Sequence, residues 1–115
     1  DDENAVRLLR EARTESPEHP VPPLILGQLA LRLRQVKPAH ELLEAAVSLP
    51  LPDNWPASHR QRFQVLLHSE RLKLAQQLQD VDLTREALSQ WMKADPSNRR
   101  LRTWYEELPP KPGAK

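Results

Sequence analysis

The sequence predicts an all-α protein of about six helices, arranged as antiparallel pairs stacked into a short right-handed solenoid. Three observations carry this. Ala, Glu, Lys, Leu and Arg supply 58 of the 115 residues, whereas Val, Ile, Thr, Phe, Tyr and Trp supply only 15, a balance that favours helices over sheets. Twelve prolines fall in clusters and divide the chain into helix-length segments. A small–large–small spacing then recurs from segment to segment.

The first helix is expected over about 3–14, with Val6, Leu9 and Arg13 marking successive turns. Pro17, Pro20, Pro22 and Pro23 follow it, and Pro22 and Pro23 suit the first turn of a second helix reaching about residue 35. A third runs from Pro38 to about 48. A proline-rich insertion, 49–56, carries Trp55, which is expected to tuck over the core. The fourth and longest helix covers roughly 57–79, with Ser58 as its cap and a stripe at Phe63, Leu66, Leu67, Leu74 and Leu78. The fifth spans about 83–93, with Trp91 in the core. The sixth takes Asp95 as cap and Pro96 as first residue and ends near 108. Its Leu101, Trp104, Tyr105 and Leu108 lie at i, i+3, i+4 and i+7, the pattern of a terminal helix docking on its neighbour. Residues 109–115 have nothing to bury and read as a disordered tail or linker, leaving 1–108 as the helical domain.

Ala5, Leu9 and Ala12 form A-x3-L-x2-A, and Ala39, Leu43 and Ala46 repeat it 34 residues later. Ala87, Trp91 and Ala94 form a third copy with a larger middle residue. Small flanks let two helices approach closely while the large residue fills the gap between them. Leu26-Gly27 precedes Ala39, and Leu74-Ala75 precedes Ala87, by the same 13 and 12 residues. Glycine costs about 1 kcal/mol relative to alanine within a helix, so close packing is the reason expected for Gly27.

On these residues the chain resembles the tetratricopeptide repeat family, whose 34-residue helix–turn–helix units follow W-x2-L-G-x2-Y … A-x3-F … P. Leu26, Gly27, Ala39, Leu43 and Ala46 match the leucine, glycine, first alanine, aromatic and second alanine slots, and Pro17 falls where the closing proline sits. The resemblance spans about 1–108 and implies a half repeat, two full repeats and a capping helix. Pro23 and Ala30 depart from the tryptophan and tyrosine slots, and the second full repeat starts 14 residues late. Asp95-Pro96-Ser97-Asn98 fits a competing register with Thr84 and Leu88 in the alanine and aromatic slots. The Ala87 register is preferred because more of its slots agree.

The resemblance implies a non-catalytic scaffold that binds a peptide or partner domain in a concave groove. The groove side chains it implies are Leu24, Gln28, Leu31 and Arg32 on one helix. On the other they are Ser69, Leu72, Gln76, Gln79 and Asp80, with Lys73 at the edge. Glutamine amides there can donate to and accept from an extended peptide. Leu24 and Gln28 replace the lysine and asparagine of the subclass that clamps a C-terminal carboxylate, so no such clamp is expected.

Other chemistries find little footing. Two glycines cannot build a phosphate loop, and the lack of cysteine removes thiolate metal sites and disulfides. His19, His40, His59 and His68 include no i, i+4 pair, so no metal or other cofactor is expected. No nucleophile elbow or paired-acid pattern occurs, and the chain is not expected to be an enzyme. The net charge of +1 argues against nucleic acid, although Arg99, Arg100 and Arg102 beside Trp104 and Tyr105 keep an RNA-binding repeat as the weakest alternative. Apolar runs such as Leu24, Ile25, Leu26 are too short to span a membrane. The chain reads as a soluble segment of a larger protein, its compartment undefined with the cytoplasm slightly favoured. Self-association through exposed repeat ends is the leading alternative function, because the first helix lacks a partner helix of its own.

Overall fold

The computed structural model describes residues 2–110, and every regular element among them is a helix. The order is α1 (Asp2–Glu15), α2 (Val21–Arg32), α3 (Val36–Ser48), α4 (Ala57–Leu78), α5 (Val81–Ala94) and α6 (Arg99–Glu106). The chain divides into two compact units, Asp1–Arg60 and Gln61–Lys115. Of the expected tail, residues 111–115 lie outside the described residues. Pro109 and Pro110 are exposed and carry no helix, and Arg85 donates to the Pro109 carbonyl.

In the first unit α2 packs against both α1 and α3. Pro22 and Pro23 sit in its first turn, where their missing N–H groups cost nothing. Leu24, Leu26, Gly27, Ala30 and Leu31 of α2 are buried, as are Ala39, Leu43 and Ala46 of α3. The expectation for Gly27 holds: a Cβ added there would lie 2.7 Å from Leu43 Cδ2 and 2.9 Å from Leu43 Cγ.

The turn between α2 and α3 is a Schellman motif. Arg34 adopts φ 60°, its N–H bonds the Leu31 carbonyl at 3.0 Å, and the Gln35 N–H bonds the Ala30 carbonyl at 2.8 Å. The turn between α4 and α5 repeats it: Gln79 has φ 53°, its N–H bonds Gln76 O at 3.2 Å, and the Asp80 N–H bonds Ala75 O at 3.0 Å. The two turns are 45 residues apart, which sets Thr84 and Leu88 opposite Ala39 and Leu43. This corrects the preferred Ala87 register in favour of the competing one. Small-residue spacing alone could not separate them, because Thr84, Ala87 and Leu88 are all buried.

In the second unit, α5 returns antiparallel along α4. Gln61 Nε2 donates to the Ala94 carbonyl at 3.0 Å near one end, and Arg71 reaches Glu86 nearer the turn. Leu72, Ala87, Leu88 and Leu101 form a core against which Trp91, Met92, Trp104, Tyr105 and Leu108 pack. The terminal stripe therefore docks as its spacing implied. Trp91 is half-buried rather than buried, and its Nε1 has no hydrogen-bond partner.

Three local expectations are corrected. Leu66 and Leu78 of the expected α4 stripe are exposed, because α4 buries a broader, partly polar surface. Pro56, not Ser58, precedes α4, its carbonyl accepting from the His59 and Arg60 N–H groups. Helix α6 starts at Arg99 after Asn98. Asp95 instead ends α5, its N–H returning to the Trp91 carbonyl at 2.9 Å and its carboxylate accepting from Asn98 Nδ2 at 3.3 Å.

Candidate functional site

The groove residues implied by the resemblance separate into three groups. Leu24, Leu31 and Leu72 are 2%, 6% and 3% exposed; they are core and cannot line a groove. A leucine on a helix gives the same periodic signal whether it faces a core or a ligand, and here burial takes all three. Gln79 and Asp80 are exposed, but they belong to the turn. Gln79 supplies the left-handed residue, and Asp80 Oδ1 accepts from the Leu83 N–H at 3.0 Å to cap α5.

The remaining positions lie on open helix faces. In the first unit, Gln28 is half-buried and Arg32 exposed, one turn apart on α2. In the second, Ser69, Lys73 and Gln76 follow one another at i, i+4 and i+7 on α4. Ser69 Oγ donates to the Leu66 carbonyl at 2.8 Å, and Lys73 Nζ pairs with Glu70 at 2.9 Å. Gln76 is exposed.

The least expected feature is a polar chain inside the second unit. Arg71 has none of its side-chain surface exposed. Its Nη1 donates to His68 Nδ1 at 3.2 Å and its Nη2 to Glu86 Oε1 at 2.9 Å. With Nδ1 accepting, the His68 proton sits on Nε2 and is donated to Gln64 Oε1 at 3.0 Å. Burial, then the Arg71 cation, hold His68 at about 4, against a smaller opposing pull from Glu86. A charged residue at helical spacing reads as a solvated one. The partner that explains Arg71 lies 15 residues on, across the turn, and local periodicity cannot point to it.

In the first unit, Trp55 is half-buried between two imidazoles, its ring centroid 6.0 Å from His19 and 4.2 Å from His59. His19 Nδ1 accepts from the Val21 N–H at 3.2 Å. Arg60 pins the insertion by donating to the carbonyls of Pro52, at 2.7 Å, and Trp55, at 3.1 Å. The outer face of α1 forms a shallow trough of about 650 Å³ lined by Val6, Arg7, Arg10, Glu11, Thr14 and Leu33. Its walls are mostly the stems of charged side chains, as on a solvated helix.

Among the described residues, no three His, Asp or Glu side chains gather closely enough to hold a metal ion, and no helix is long and apolar enough to cross a membrane. No family model, curated protein or solved structure matches the chain.

Proposed function

We propose that the chain is a non-catalytic protein-interaction scaffold of the helix-pair repeat type, binding a peptide or partner domain through the open faces of α2 and α4. The observation supporting this most is the recurrence, 45 residues apart, of one helix–Schellman turn–helix unit with matched burial. Such a unit cannot bury its apolar surface alone, and proteins built by repeating it serve as binding frameworks. The tetratricopeptide-like stacking is the form of that framework we favour.

The binding face then consists of Gln28 and Arg32 in the first unit and Ser69, Lys73 and Gln76 in the second. Selection from a displayed peptide library tests it. Peptides retained by the unaltered chain are expected to lose at least about tenfold in affinity when Gln28, Arg32, Lys73 and Gln76 are all changed to alanine, the scale of one lost hot-spot contact. Undiminished binding would refute the assignment.

A second reading, self-association, is favoured by α1. None of the side chains described on it is fully buried, and Leu8 is 55% exposed. Sedimentation at several concentrations, with Leu8→Glu alongside, decides it: a strict monomer removes this reading.

A further inference from the structure

The polar chain of the second unit has no part in the proposed binding face. We propose that His68, Arg71 and Glu86 form an acid-sensitive latch on the α4–α5 hairpin. With His68 neutral, its Nδ1 is the acceptor that holds one end of the Arg71 guanidinium, and the other end is thereby aimed at Glu86 on α5. Arginine only donates. A protonated imidazole also only donates, so acid turns this contact into two cations 3.2 Å apart in a site withdrawn from water. The charge count changes with it. Arg71 and Glu86 are balanced, whereas adding His68⁺ leaves one uncompensated charge, and burying such a charge is costly.

The charged groups acting on His68 are Arg71 on its own helix and Glu86 on α5. Gln64, its other neighbour, is neutral and accepts from Nε2 at 3.0 Å. Glu86 cannot balance both cations: it is a single carboxylate and is 55% exposed, so water takes much of its field. Release at Glu86 frees α5 from α4, and with it the attachment of α6, whose Leu101 shares a core with Ala87 and Leu88 of α5.

The direction follows from linkage. His68 protonates near its ordinary 6.5 in the opened hairpin and only near 4 when closed. The closed form is therefore favoured in full above 6.5 and loses ground steadily as the pH falls towards 4.

Amide hydrogen exchange on the full chain tests the latch. Between pH 7 and about 4.5, protection of α5 relative to intrinsic exchange is expected to fall by nearly a hundredfold, the ratio those two proton affinities imply. His68→Gln retains an acceptor and never charges, so its protection is expected to change by less than about threefold over the same range. If the variant loses as much protection as the unaltered chain, the latch is wrong. Should His68→Gln fail to fold, the imidazole resonance of His68 in the unaltered chain decides. Protonation that coincides with loss of α5 protection supports the latch, and protonation with α5 still protected overturns it.

Discussion

Gly27 and Leu43 meet so closely that no side chain fits between them: a Cβ on Gly27 would stand 2.7 Å from Leu43 Cδ2. Contacts under 3.0 Å force a displacement, and Leu43 is fully buried, so it has little room to yield. Gly27→Ala gains about 1 kcal/mol in helix propensity but adds about 1–3 kcal/mol of overpacking. A net destabilisation of about 1 kcal/mol is expected, read as a lower urea midpoint with the slope unchanged. Leu43→Val removes the atom that clashes first. Combined with Gly27→Ala, it is expected to cost less than the two single changes added together.

The twin turns give a second expectation, of opposite sign. Arg34 and Gln79 hold φ values of 60° and 53°, where a side chain is strained by about 1 kcal/mol. Both are exposed at the end of a helix, where glycine's extra backbone entropy costs less than that strain. Arg34→Gly and Gln79→Gly are each expected to raise stability by about 0.5–1 kcal/mol, whereas Gln79→Val lowers it. Thermal unfolding, with shifts of a few degrees per kcal/mol, reads both directions.

Asp80 separates a structural from a binding role. Its carboxylate caps α5 through the Leu83 N–H at 3.0 Å. Asp80→Ala is expected to cost about 1 kcal/mol of stability while leaving the affinity of a selected peptide unchanged. Retained stability with lost affinity would return Asp80 to the groove that its position on the resemblance implied.

How far the sequence carries depends on what each residue meets. Helix boundaries from 2 to 94 follow proline placement and apolar spacing to within a few residues, since both act through the local backbone. The start of α6 does not. Asp95-Pro96 is a sound helix opening taken alone, yet Asp95 closes α5 and a turn intervenes before Asn98. The close approach at Gly27 was legible because a helical glycine needs a neighbour to justify it. The groove was legible only as a pattern. Leu24, Leu31 and Leu72 repeat at the right intervals, but which side of a helix a partner element covers is decided by packing between segments far apart in the chain. Arg71 was invisible for the same reason: it becomes a buried residue only once Glu86 and His68 stand beside it.

The final expectation concerns what the buried guanidinium contributes beyond its charge. Removing Arg71 does not strand Glu86, which is 55% exposed and stays hydrated. The cost is therefore mainly lost volume and a lost donor to His68. Arg71→Ala leaves a cavity and is expected to destabilise by about 3 kcal/mol, within the range for emptying a buried site. Arg71→Met refills most of that volume without a buried charge and is expected to cost less than half as much, as when buried ion pairs are replaced by apolar groups of similar size. Urea unfolding of both variants at pH 7 provides the comparison. Arg71→Met has a second, independent reading in the titration of His68. With the cation gone, His68 is expected to protonate above its present value of about 4, yet still below 6.5 because burial, the larger cause, persists. Equal losses for Met and Ala, together with an unmoved His68, would mean that Arg71 neither fills its site nor acts on the imidazole it touches.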